Sequence, residues 1–88
     1  MSWDYRFTDE ALKNLRKVGA EGKRRILSYL DSNITGCGDP RQFGKALKGD
    51  LGDLWRFRMS HYRIICQIRD EELVVLVVRV GHRKDVYE

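Results

Sequence analysis

The chain has 88 residues, of which 42% are hydrophobic and 34% are charged. This composition suits one folded domain spanning residues 1–88 and excludes a disordered chain. Lys and Arg total 17 against 13 Asp and Glu, which gives a formal net charge of +4. That balance indicates an acidic or polyanionic partner, although the same charge would also serve only to keep a small protein in solution.

The cysteine content and the apolar runs indicate a protein of the cytoplasm. Cys37 lies in a glycine-rich stretch and Cys66 in a predicted strand, so the two do not form a disulfide framework. Together with His61 and His82 they match no zinc-binding spacing, and no metal or cofactor is expected. The N-terminus lacks the apolar core of a signal peptide, and the longest apolar run, 73–78, is too short to cross a bilayer. We therefore expect a cytoplasmic protein without a membrane partner.

The first part of the chain predicts a strand followed by two helices. Apolar and charged side chains alternate over residues 3–7, as in a strand with one buried face. Thr8 is a favourable N-cap for a helix that would end at Gly19. A short connection over 19–22 would lead to a second amphipathic helix, marked by apolar residues between 26 and 34. Because the connection is short, the helices would form an antiparallel hairpin.

The second part of the chain predicts a loop and then three strands. The glycine-rich stretch 35–44 contains an Asp-Pro pair and predicts a loop. Strands are predicted over 54–59, 62–68 and 73–80, with Ser60-His61 between the first two. The expected fold is a small α+β domain of order β-α-α-β-β-β, in which a helical hairpin packs on one face of an antiparallel sheet.

Three arginines and no acid occur on the first two of these last strands. If the turn between them has two residues, Arg58 lies opposite Arg63 and Arg56 lies opposite Ile65, on the exposed face away from the helices. Like charges directly opposite each other destabilise a sheet, by up to about 1 kcal/mol. A bound anion would explain the arrangement, and the alternative is a solvated face whose arginines reach into water. A turn of three residues would reverse the face of one strand and remove the reason to expect an anion.

Four motifs together resemble those of one toxin superfamily. They are Leu47-Lys48-Gly49, Trp55-Arg56-Phe57-Arg58, Tyr62-Arg63-Ile64-Ile65 and Val80-Gly81-His82-Arg83-Lys84-Asp85-Val86-Tyr87. Over nearly the whole chain the pattern resembles the RelE/ParE toxins of bacterial toxin–antitoxin pairs. The resemblance implies a RelE-type toxin that cuts mRNA in the ribosomal A site, and a RelB-like antitoxin that neutralises it.

The resemblance also implies the site residues. RelE-type toxins carry basic residues on the strand before the hairpin, an arginine just after it, and an arginine and a tyrosine near the C-terminus. Carried over by position, the catalytic set is Arg56, Arg58, Arg63, Arg83 and Tyr87. The candidate RNA contacts are Lys45, Lys48, His82 and Lys84. The best-known RelE toxins have lysines where Arg56 and Arg58 stand here, and arginine effectively keeps its proton, so Arg56 is a poor general base.

The chemistry expected of this set is attack of an RNA 2′-hydroxyl on the adjacent phosphate, without a metal ion. Arg63 and Arg83 would bind the scissile phosphate, and Arg58 would stabilise the developing charge. Arg56 would hold the RNA backbone, and Tyr87 would stack on a base or relay a proton. Two alternatives remain open, a ParE-like gyrase inhibitor that binds protein without catalysis and a non-enzymatic module that binds nucleic acid through the same arginines.

Overall fold

The computed structural model describes residues 2–47 and 53–83, in which two helices pack on one face of a five-stranded mixed sheet. The helices are α1 (Asp9–Lys17) and α2 (Gly19–Asn33), and one 3-10 turn covers Pro40–Phe43. The strands are β1 (Asp4–Phe7), β2 (Gly44–Ala46), β3 (Leu54–Met59), β4 (Tyr62–Arg69) and β5 (Val74–His82). Their order in the sheet is β1-β5-β4-β3-β2. Neither helix of this described part is long and apolar enough to span a membrane.

The predicted element order and the helical hairpin on one sheet face are confirmed, while the sheet differs in two respects. β2, a strand of three residues, was not predicted and pairs antiparallel with β3. β1 pairs parallel with β5, so the sheet is mixed and not wholly antiparallel. The alternation of side chains identifies strand faces, but it contains no information on which strand becomes the neighbour of β1.

The two helices follow each other more closely than predicted. Thr8 caps α1 as expected, and its hydroxyl accepts a hydrogen bond from the backbone amide of Ala11 at 3.1 Å. Gly19 has a φ of +87° and begins α2, so residues 19–22 form a helical turn where a connection was predicted. A Cβ atom at Gly22 would lie 2.9 Å from the Tyr62 hydroxyl. A glycine here therefore lets α2 start directly against the sheet.

The core lies between the helices and one face of the sheet. That face carries Phe57, Ile64 and Cys66, all fully buried, and burial raises the pKa of the Cys66 thiol to about 12. The helices contribute buried apolar side chains at Ala11, Leu15, Ile26 and Leu30. Because side chains alternate along a strand, the arginines of β3 and β4 fall on the opposite face.

Candidate active site

The β3–β4 hairpin has the register that the sequence predicts. A two-residue turn at positions 60 and 61 joins the strands, Arg58 stands directly opposite Arg63, and Arg56 stands opposite Ile65. We call the sheet surface that carries Arg56, Arg58 and Arg63 the arginine face. In the described part of the chain neither Arg58 nor Arg63 forms an ion pair with an acid. No acidic side chain of this part of the chain therefore offsets the repulsion expected between two arginines at opposed positions.

Arg63 is more buried than the sequence predicts. The prediction was an exposed face, whereas only 8% of the Arg63 surface is accessible. Its Nη1 donates to the backbone carbonyl of Tyr62 at 3.0 Å and to that of Ser60 at 3.4 Å. Ser60 has a φ of +57°, a left-handed conformation that costs a non-glycine residue on the order of 1 kcal/mol or more. The turn therefore presents carbonyl groups that hold the Arg63 guanidinium in place, whereas Arg58 remains exposed.

The end of β5 brings Arg83 and His82 to the same hairpin. The backbone amide of Arg83 donates to the carbonyl of His61 at 2.9 Å, while its side chain is exposed. His82 pairs with Tyr62, and their ring centroids are 4.9 Å apart. Tyr62 packs against the core, so His82 lies at the same end of the sheet as Arg58 but on the opposite face.

The Arg83 contact also fixes the type of pairing between the two opposed arginines. Hydrogen-bonded and non-hydrogen-bonded pairs alternate along an antiparallel ladder, and the Arg83 amide identifies His61 as a residue whose backbone bonds towards β5. Two residues further on, Arg63 also bonds towards β5, so its pair with Arg58 is non-hydrogen-bonded. Pairs of this type have the closer side chains, with Cα atoms about 4.5 Å apart. The Arg58 and Arg63 side chains therefore leave the backbone at the shorter of the two Cα–Cα separations found in antiparallel pairs.

Two more cations border the arginine face. Lys45 of β2 pairs with Arg56, and Arg79 of β5 pairs with Ile65. Strict alternation from Val77, a core residue, would place Arg79 on the core side. A β-bulge beside Ile65 reverses that parity, so Arg79 was missed by sequence reasoning. No signal in the hydrophobic pattern would have located the bulge.

Asn14 of α1 was also missed, and it holds the end of β5. β1 pairs with β5 only as far as Val77. Beyond that point the Val80 amide donates to Asn14 Oδ1 at 3.0 Å. The one sequence signal is that asparagine is a weak helix former at the centre of a helix. The bond fixes β5 three residues before Arg83.

Other predicted site residues cannot be placed. Lys48, Lys84 and Tyr87 lie outside the described residues, and their roles stay predictions. Among residues 2–47 and 53–83 there is no group of three or more His, Cys, Asp or Glu side chains arranged to hold a metal ion.

The fold is that of a toxin from a type II toxin–antitoxin system. Residues 5–87 match the family model described as ParE toxin of type II toxin-antitoxin system, parDE, and the chain belongs to this family. Within it the chain is a RelE-type toxin. It is 31% identical over 90 residues to the mRNA interferase toxin RelE of Escherichia coli strain K12, covering 96% of this chain and 86% of that protein. It is 29% identical over 87 residues to toxin RelG of Mycobacterium tuberculosis, covering 99% and 98%.

Solved structures have the same fold. The toxin–antitoxin complex RelBE2 of Mycobacterium tuberculosis matches with a TM-score of 0.74 and 31% identity, covering 97% of this chain and 95% of that chain. A free mutant of the Escherichia coli toxin RelE matches with a TM-score of 0.71 and 28% identity, covering 93% and 84%. The RelE-type fold implied by the sequence motifs is confirmed.

Proposed function

We propose that this protein is a ribosome-dependent mRNA endonuclease that works by attack of a 2′-hydroxyl on the adjacent phosphate. The observation that carries the proposal is the pair Arg58 and Arg63, directly opposite each other with no acidic partner among the described residues. This placement destabilises an unoccupied sheet and favours a bound phosphate. The name mRNA interferase, given to the Escherichia coli relative, supports the same reaction class.

The roles follow from how each arginine is held. The carbonyls of the turn hold the Arg63 guanidinium, and the backbone amide of Arg83 anchors the end of β5 so that its exposed side chain starts beside the same turn; the two bind the oxygens of the scissile phosphate. Arg58 stabilises the negative charge that develops on the phosphorane. A guanidinium that is already held, as that of Arg63 is, needs no reorganisation during the reaction, and the three arginines supply positive charge without a metal ion. Arg56 holds the RNA backbone, and Tyr87 stacks on a base or relays a proton.

The partners follow from the same charge distribution. A RelB-like acidic antitoxin neutralises the toxin by covering the arginine face or displacing the C-terminus. The toxin–antitoxin complex RelBE2 of Mycobacterium tuberculosis supports this class of partner. In the cytoplasm the toxin enters the ribosomal A site, where Lys45, Lys48, His82 and Lys84 contact RNA.

Inhibition of gyrase in the manner of ParE is the less favoured function. The matching family model is named for ParE, but the relatives that match nearly the whole chain include an mRNA interferase toxin RelE. The opposed arginines also favour phosphate chemistry over docking to a protein surface. A cleavage assay separates the two functions, because a gyrase inhibitor leaves mRNA intact.

The test is single-turnover cleavage of mRNA in a programmed ribosome at saturating toxin, with toxin–ribosome affinity measured separately. Arg63→Ala and Arg83→Ala should each slow cleavage about 10²–10³-fold, the effect of losing one donor to a developing oxyanion. The exposed helix variants Lys13→Ala and Lys23→Ala are controls and should cleave at the parental rate. Products should end in a 2′,3′-cyclic phosphate and a 5′-hydroxyl. If the arginine variants cleave normally but bind weakly, these residues serve docking and the catalytic roles are wrong.

A further inference from the structure

A shallow depression of about 270 Å³ lies beside the arginine face, and none of the roles above involves it as a site. Its lining residues come from the segment before β3 and from β3 itself: Gln42, Phe43, Gly44, Lys45, Arg56 and Arg58. Its volume is close to the lower end of the range for ligand pockets, about 300 Å³. The depression is therefore of a size for a small ligand.

The depression forms because the segment made of the 3-10 turn and β2 packs closely against β3. Asp39 caps the 3-10 turn, and its carboxylate accepts a hydrogen bond from the Arg41 amide at 3.0 Å. The turn leads directly into β2 at Gly44. A Cβ atom at Gly44 would overlap the Phe57 ring and the Arg56 carbonyl oxygen, so only glycine allows this approach.

The pairing of β2 with β3 brings the neighbouring residue to the arginine face. Because Gly44 pairs with Phe57, the next step of the ladder would place Phe43 beside Arg58. Phe43 is half-buried, so part of its ring packs on the core and part remains accessible. Gln42, one residue earlier, is exposed.

The lining residues combine what a protein needs to bind one unpaired nucleotide. Lys45 and Arg58 are exposed cations that attract the phosphate backbone. The accessible part of the Phe43 ring is an apolar surface on which a base stacks. The Gln42 amide has both donors and an acceptor, so it can pair with the edge of a base and distinguish one base from another.

We propose that this depression is a nucleotide subsite for the residue next to the cleaved bond, in which Phe43 stacks on the base and Gln42 reads its edge. The inference rests on the proposed function, which places the scissile phosphate at Arg58 and Arg63. Neighbouring strands lie about 4.8 Å apart, so the depression beside β2 is within one nucleotide of a phosphate held over β3 and β4. The subsite would give the toxin a preference for particular bases beside the cut.

The first experiment measures binding without catalysis. A three-nucleotide RNA with a 2′-deoxy sugar at the cleavage position is titrated into the isotope-labelled full chain and followed by amide NMR. Amide signals of residues 42–45 should shift together with those of the β3–β4 turn. Gln42→Glu should weaken binding about tenfold, and Ser28→Glu, which adds the same charge on the exposed surface of α2, should not.

The second experiment measures base preference on programmed ribosomes. Gln42→Ala should change the relative cleavage of messages that differ at one position beside the cut by about tenfold, because it removes the side chain that reads the base edge. Phe43→Leu should instead lower cleavage of all these messages at subsaturating toxin by about tenfold, because stacking is tolerant of base sequence. Phe43→Leu keeps an apolar side chain against the core, and its melting temperature checks that the fold is intact. Phe43→Trp, which keeps an aromatic ring, should cleave faster than Phe43→Leu.

The outcomes separate the subsite from the proposed nuclease activity. If Arg63→Ala slows cleavage as expected while Gln42→Ala keeps the parental base preference, Phe43→Leu keeps the parental rate, and residues 42–45 do not shift on titration, the subsite is overturned and the nuclease stands. If the parental chain leaves ribosome-bound mRNA intact but residues 42–45 shift and Gln42→Glu weakens binding, the nucleotide site stands and the nuclease is overturned.

Discussion

Arginines at the two ends of the β3–β4 hairpin lie in opposite electrostatic environments. At the end away from the turn, Arg41 binds both carboxylate oxygens of Asp70, at 2.6 and 3.0 Å, and lies 3.5 Å from Asp39. Its guanidinium carbon is also 5.7 Å from the centroid of the Trp55 ring. Every one of these contacts favours the folded state, so the role of Arg41 is structural.

At the turn end, Arg58 and Arg63 oppose each other, and the partners of Arg63 among the described residues are backbone carbonyls. A carbonyl orients a guanidinium but does not cancel its charge. The same residue type therefore stabilises the fold at one end of the hairpin and opposes it at the other. A site proposed to bind phosphate needs this uncompensated positive charge at the turn end.

The largest effect is a loss of cleavage rate, and it is expected when arginine is replaced by lysine at the turn end but not when the same substitution is made at the other end. Arg63→Lys removes the planar group that bonds to the Ser60 and Tyr62 carbonyls, so a lysine would not be held in the phosphate-binding position. We expect cleavage to fall about 10²-fold in single-turnover assays. Arg41→Lys should cleave at the parental rate. Equal losses in the two variants would contradict the distinction between the ends.

The next largest effect concerns the bond that holds the end of β5. Asn14→Leu leaves the Val80 amide without its acceptor, which should lower the free energy of unfolding by about 1 kcal/mol. Amide hydrogen exchange at Val80 should become faster, while exchange at Val75, in the paired part of β5, should change less. Asn14→Asp keeps an acceptor oxygen and should restore slow exchange. Slow exchange at Val80 in Asn14→Leu would show that the bond does not hold the strand.

The smallest effect is a pH-dependent change in melting temperature, and it is expected at the end of the hairpin where Arg41 binds Asp70. The hydrogen bond from Arg41 lowers the pKa of Asp70 below its ordinary value. A depressed carboxyl pKa adds stability above the unfolded value of about 3.9, and this stability is lost as the pH falls through the lower folded pKa. Arg41→Ala should therefore melt slightly below the parent at pH 7, and the difference should narrow in strong acid to the part that the Trp55 contact contributes.

The pH-dependent effect at Arg41 should be small because the Asp70 side chain is 61% exposed and that of Arg41 34% exposed, so salt screens their attraction. Thermal melting at low ionic strength between pH 2 and 7 measures it. If the difference in melting temperature between the parent and Arg41→Ala grows on acidification, the Arg41–Asp70 pair does not stabilise the fold as described. The cleavage rate of Arg41→Ala should remain parental.

The arginine face could be predicted from the sequence because its geometry depends on one short turn. Once the Ser60-His61 turn has two residues, the two-residue period of a strand fixes that Arg58 opposes Arg63. The burial of Arg63 could not be predicted in the same way. It depends on the left-handed backbone conformation of Ser60, which the presence of a serine does not predict.

Features set by strand pairing and by packing between elements could not be predicted from the sequence. The short β2 strand and the bulge that places Arg79 on the arginine face form between strands that follow each other in the chain, but the hydrophobic pattern marks neither. The parallel pairing of β1 with β5 joins segments far apart in the chain. Asn14 is similar, since its partner Val80 is 66 residues away. Local patterns predict faces and caps, whereas these features follow from tertiary packing.

The central claim is that the opposed arginines are kept for an anion at a cost in stability. Thermal unfolding of the parent and of Arg58→Gln, each with and without the uncleavable three-nucleotide RNA at low salt, tests it most directly. Without RNA, Arg58→Gln should be more stable by up to about 1 kcal/mol, because it removes the repulsion with Arg63. With saturating RNA the order should reverse, because ligand binding stabilises the parent more strongly. A variant that is less stable than the parent without RNA, and is stabilised by RNA to the same extent, would contradict the claim.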